Sequence, residues 1–95
     1  MSVKYIKWDE LLPDIRQSWD VDESFHPKFW VTVNFHNSMW DDGNYPEMFK
    51  EWIKQNNINI FGLRVKDGVR SWVAFLIETP DDLLEIAREW AIKKS

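Results

Sequence analysis

Residues 29 to 36 read Phe-Trp-Val-Thr-Val-Asn-Phe-His, and their alternation is strict. In an extended chain Phe29, Val31, Val33 and Phe35 point one way and Trp30, Thr32, Asn34 and His36 the other. The segment predicts a strand with one buried face and one wetter face. The rest of the chain has to supply partner strands and a cover for the apolar side.

The partners are legible downstream. Residues 58 to 66 and 69 to 78 predict a β-hairpin around Lys66-Asp67-Gly68. A two-residue Asp-Gly turn pairs Lys66 with Val69 and Val65 with Arg70. A three-residue loop with Gly68 in the left-handed region pairs Val65 with Val69 and Arg64 with Arg70. The second register is preferred, because it collects Phe61, Leu63, Val65, Val69, Val73, Phe75 and Ile77 on one face. The other face then holds Ile60, Gly62, Arg64, Arg70, Trp72, Ala74 and Leu76, with Trp72 opposite the small Gly62. The two facing arginines belong at the exposed end of the hairpin. Residues 3 to 8, Val-Lys-Tyr-Ile-Lys-Trp, predict a further short strand whose lysines suit a sheet edge.

Three segments have helical periodicity. Trp8, Leu11, Leu12, Ile15 and Trp19 predict a helix over 9–19 with Asp9 as its N-cap, although Pro13 complicates the start. Pro46 suits a first turn, Phe49, Trp52 and Ile53 continue a stripe with Met48 at its margin, and Asn56-Asn57 is the expected stop. The last helix is framed by Thr79 as N-cap, Pro80 at the first position, Asp81 and Asp82 at the positive end of the helix dipole, and Lys93 and Lys94 at the other. Its expected stripe is Leu83, Leu84, Ala87, Trp90 and Ala91.

These elements predict one α+β domain over residues 1–95, with a three- to four-stranded, mostly antiparallel sheet and two to three helices. A right-handed crossover from strand 29–36 through helix 46–57 sets strand 58–66 parallel to it, adjacent or one strand away. The core is a ferredoxin-like β-α-β-β-α, and segment 3–8 is placed to fill the edge where that arrangement has its last strand. The analogy concerns topology and carries no function.

Charge and composition narrow the activity. Twelve basic against sixteen acidic residues give a net charge of −4, which opposes nonspecific duplex binding. The acids cluster in residues 9–23 (Asp9, Glu10, Asp14, Asp20, Asp22 and Glu23 against Arg16), while Arg64, Lys66 and Arg70 make the hairpin tip basic. No cysteine is present, so a disulfide framework, a thiolate nucleophile and a cysteine-ligated zinc site are excluded. The apolar stretch from Trp72 to Ile77 is too short to span a bilayer, and Met1 to Lys7 lacks the apolar core of a secretory signal, so a cytoplasmic location is expected.

No catalytic motif is present. His36, near Asp41 and Asp42, offers the one arrangement suggestive of an acid–base site. The adjacent carboxylates Asp41-Asp42 point apart in an extended loop, and Asp81-Asp82 already serve a helix start. No cofactor and no metal are expected. The more informative group is the sheet face opposite the core, with Trp30, Asn34, His36, Arg64, Arg70 and Trp72, joined by Trp40 from the polar loop. Tryptophan and arginine are the residue types enriched at binding hot spots. The competing reading lets helix 9–19 cover this face and bury its tryptophans.

The expected function is a small, non-catalytic interaction module. It would act as an inhibitor or adaptor of the kind that phages and mobile elements encode, and bind a partner protein or a second copy of itself. One alternative is single-stranded nucleic-acid or nucleotide binding on the same face. Another is a small enzyme using His36 with Asp41 or Asp42. Of the seven tryptophans, Trp8, Trp19, Trp52 and Trp90 fall on helical stripes and are assigned to packing.

Overall fold

In the computed structural model, which describes residues 2–35, 45–66 and 71–91, the alternating segment forms strand β2 (Phe29–Phe35) near the middle of a four-stranded sheet. Its neighbours are β1 (Ser2–Lys7) on one side and β4 (Ser71–Ile77) on the other, and β3 (Ile60–Lys66) closes the order β1-β2-β4-β3. Each adjacent pair is antiparallel, so β3 runs parallel to β2 with β4 between them. This is the spacing expected for the crossover. β1 takes the edge left open for it, and the order fits the ferredoxin-like arrangement.

Val31, Val33 and Phe35 of β2 are buried beside Val73, Phe75 and Ile77 of β4. Two helices cover that side: α2 (Tyr45–Gln55), through Phe49 and Ile53, and α3 (Pro80–Trp90), through Leu83, Ile86 and Trp90. Trp90 meets Phe35 and Phe49 edge-on, with ring centroids 5.5 and 5.2 Å apart. Such pairs add about 0.5–1.5 kcal/mol each beyond the area they bury.

The helix ends follow local chemistry. Thr79 Oγ1 accepts the Asp82 N–H at 3.3 Å and Pro80 opens α3, as expected. At the end of α2, Asn57 adopts φ +54°. Its N–H donates to the Lys54 carbonyl at 3.2 Å, and the Ile58 N–H donates to the Ile53 carbonyl at 3.1 Å. This double bond pattern around a left-handed residue closes a helix C-terminus. The stripe of α3 differs from expectation: Ile86 belongs to it, whereas Leu84 is 66% exposed. Leu83, Ile86 and Trp90 follow the i, i+3, i+7 spacing of one helical face, and Leu84 stands about 100° away from Leu83.

The expected helix 9–19 is broken. A short 3-10 turn spans Trp8–Glu10, and α1 begins only at Pro13 and runs to Ser18. Leu12 is held extended (φ −58°, ψ 139°), since a residue preceding proline is disfavoured in the helical region, and Asp9 makes no capping bond. The stripe is divided accordingly. Leu11 and Trp19 are buried, while Leu12 and Ile15 are 65% and 39% exposed.

The hairpin adopts neither expected register. Lys66 pairs with Trp72, Val65 with Val73 and Arg64 with Ala74, so Arg64 does not face Arg70, and Trp72 is not opposite Gly62. β4 is held by β2 over its whole length, from Phe29↔Ile77 to Phe35↔Ser71, and β3 adapts to it. The adjustment is a bulge at Gly62 (φ +66°) between Phe61 and Arg64. It brings Ile60 opposite Ile77 and Phe61 opposite Leu76, which exchanges the faces expected for these two residues. Asp67, Gly68, Val69 and Arg70 lie outside the described residues, as do Lys93 and Lys94.

Candidate functional site

On the face turned away from α2 and α3, directly paired residues align in three rows across the four strands. The first is Ser2, Asn34, Trp72 and Lys66; the second is Lys4, Thr32, Ala74 and Arg64; the third is Ile6, Trp30, Leu76 and Phe61.

The segment 8–28, which joins β1 to β2, crosses over the third row. Trp19 and Phe25 are buried against Ala74 and Leu76, with Trp8, Val21, Trp30, Phe61 and Trp72 packed around them, so that Trp30 and Trp72 are each half-buried. The Trp19 indole enters the gap left by Gly62. A Cβ on that glycine would lie 3.1 Å from Cε3 of the ring and 3.3 Å from Cζ3. Arg64 closes the indole from above: its guanidinium carbon sits 3.7 Å from the ring centroid, and Nη2 donates to the Ser18 carbonyl at 2.5 Å. Asp20 then reverses the chain at φ +49°, a conformation that aspartate tolerates better than most side chains.

The far end of the segment is fixed by Glu78. Its Oε2 accepts the His26 N–H at 2.9 Å, and its Oε1 accepts the Asn59 side-chain amide at 2.5 Å. The Lys28 N–H donates to the Ile77 carbonyl at 2.8 Å, and the Trp8 N–H donates to the Lys28 carbonyl at 2.9 Å.

The cover reaches into the second row, where Ala74 is buried under Trp19 and Arg64 lies on the indole; the part of the first two rows left open takes its shape from side-chain size. The central members of the second row, Thr32 and Ala74, are small, whereas Trp72 in the first row and Trp30 in the third are large. The result is a groove of about 350 Å³ lined by Ile15, Trp19, Trp30, Thr32, Asn34, Arg64, Trp72 and Ala74. Trp30 and Trp72 stand on neighbouring strands, four residues apart along the sheet, or roughly 14 Å between backbones. The walls are largely carbon, with Thr32 and Asn34 as polar points.

The charged side chains within the strand rows have one sign, while the acids of this face lie on segment 8–28. Lys4, Arg64 and Lys66 lie in the rows, which contain no aspartate or glutamate. Lys4 and Lys66 are exposed and form no ion pair among the described residues. Arg64 is already engaged with Trp19 and Ser18.

Of the residues singled out by sequence, Trp30, Asn34, Arg64 and Trp72 come together around the groove. His36, Trp40 and Arg70, and the carboxylates Asp41 and Asp42, lie outside the described residues. The competing reading, a cover of this face by helix 9–19, holds in part: Trp19 buries Ala74 and Leu76, and Trp30 and Trp72 are half-buried beside it. Sequence reasoning missed Ile15 and Trp19 as groove walls and Lys4 and Lys66 as its charged margins. One signal for Trp19 was present: a glycine inside a strand marks the close approach of another group. Here that group is Trp19, not Trp72.

Among the described residues no cluster of three or more histidine, aspartate or glutamate side chains could hold a metal ion, and no helix is long and apolar enough to cross a membrane. No protein-family model, curated protein or solved structure matches the chain.

Proposed function

We propose that this chain is a small, non-catalytic protein-interaction module, an inhibitor or adaptor, that seats part of a partner protein in the groove on the sheet face turned away from α2 and α3. The observation that carries this reading is the groove between Trp30 and Trp72, a mostly apolar concavity bordered by tryptophan and arginine. Concave apolar sites with a few polar points are where proteins take up ligands, and these residue types dominate binding energy at interfaces.

The test is affinity capture from the native host with the wild-type chain, a Trp72→Ala variant and a Leu84→Ala control, read by mass spectrometry. Leu84 is exposed on α3, on the opposite side of the sheet. The reading expects a protein retained by the wild type and the control and lost with Trp72→Ala. Retention by all three overturns it. Light scattering shows whether the partner is a second copy: a dimer that Trp72→Ala dissociates is self-association through this face.

Single-stranded nucleic-acid binding is a second reading, favoured by the lysines and indoles that share the face. The net charge of −4 and the acids of segment 8–28 oppose it. Titration with labelled oligonucleotides at low salt tests it, and no binding there removes it.

A further inference from the structure

We propose that the groove receives one large apolar side chain carried on an acidic, extended segment of the partner. This deepens the protein-binding reading and rests on it.

The size of the groove limits the occupant. An engineered cavity of ~150 Å³ accommodates a benzene ring. About 350 Å³ therefore has room for one ring-sized group and a short length of its chain. Thr32 and Asn34 offer hydrogen-bonding groups beside the apolar walls, as needed by the peptide units that flank a buried anchor.

The charges define what flanks that anchor. Lys4 is on the edge strand β1 and Lys66 on the opposite edge strand β3, one row apart. Three interstrand spacings and one row step separate their backbones by roughly 16 Å. An extended chain covers that distance in about five residues. A segment crossing the groove from edge to edge would thus place carboxylates about two residues before and two residues after its anchor, within reach of the two ammonium groups. Neither lysine has an ion-pair partner among the described residues, and no carboxylate lies in the rows to compete. A nucleic-acid strand fits less well. Its charge falls on every nucleotide along the crossing, whereas the two lysines stand only at its ends and the middle is apolar.

The experiment titrates ¹⁵N-labelled protein and follows the tryptophan indole N–H resonances, assigned with Trp30→Phe and Trp72→Phe. Four end-blocked octapeptides are compared: a central phenylalanine with acidic residues two positions to either side, the same peptide with glutamine there, the same with lysine there, and the acidic peptide with alanine at its centre. Octathymidylate is the fifth probe. The acidic phenylalanine peptide is expected to shift Trp30 and Trp72 and to bind about tenfold more tightly than the lysine peptide at low salt. The exposed double variant Lys4→Glu/Lys66→Glu should invert that preference with the amide spectrum of the fold retained.

Equal binding of the glutamine or lysine peptide overturns the charge assignment, and equal binding of the alanine peptide overturns the anchor. Either result leaves the protein-binding reading to the capture experiment. A response to octathymidylate alone overturns both, and no response to any probe at millimolar concentration overturns the inference.

Discussion

The benzo edge of Trp19 occupies the space that a side chain on residue 62 would need. Cε3 of the ring is 3.1 Å from where a Cβ would stand, and Gly62 is held at φ +66°. The two constraints act together, one from backbone strain and one from contact. Gly62→Ala is expected to destabilise the fold by about 1–2 kcal/mol from the left-handed conformation alone, with displacement of the indole in addition. Urea denaturation measures the total. A double-mutant cycle with Trp19→Ala separates the parts: the penalty for Gly62→Ala should shrink when the ring is gone.

Asn57 offers the converse case, a left-handed residue that is not glycine. Asn57→Ala should cost about 1 kcal/mol, because alanine keeps the Cβ and loses the local polar compensation. Asn57→Gly should be neutral or stabilising. Thermal melts of the two variants give the sign of each, and a stabilised alanine variant would contradict the assignment.

The two faces of α3 and the sheet differ sharply in what truncation costs. Phe75 is fully buried beneath Phe49, with ring centroids 5.4 Å apart. Phe75→Ala is therefore expected to destabilise by about 3–5 kcal/mol. Leu84→Ala, at an exposed position, should change stability by about 0.5 kcal/mol or less. Chemical denaturation that ranked them the other way would show the core on the wrong side of the sheet.

Much of the architecture is written in short stretches of sequence. The alternation in 29–36, the Thr79-Pro80 start and the Asn56-Asn57 stop are local signals, and nothing elsewhere in the fold contradicts them. The hairpin register is different, because β2 governs where β4 sits and β3 takes up the mismatch at Gly62. No property of Lys66-Asp67-Gly68 contains that information. The groove was half legible for the same reason. Trp30 and Asn34 follow from the parity of β2 alone. Lys4 and Lys66 become its margins only once four strands are aligned, and Trp19 becomes a wall only once Pro13 has delayed α1.

Glu78 ties segment 8–28 to the sheet through one carboxylate, with the His26 N–H on one oxygen and Asn59 on the other. Glu78→Ala is expected to cost about 1 kcal/mol, since both bonds are charge-assisted but partly solvated. The effect should be local. Hydrogen exchange at the His26 amide should accelerate while the amides of β2 and β4 keep their protection, and uniform acceleration would mean that the segment and the sheet open as one.

The sheet also sorts the indoles into two optical compartments. Trp52 and Trp90 lie with the helices on one side, and Trp8, Trp19, Trp30 and Trp72 lie on the other. The second compartment has the smaller buried cluster, so its opening should need less free energy than global unfolding. As denaturant is raised, the Trp19 resonance is then expected to fade before that of Trp90. The chain thus carries two internal sets of reporters, able to distinguish loosening of the segment over its groove from loss of its core.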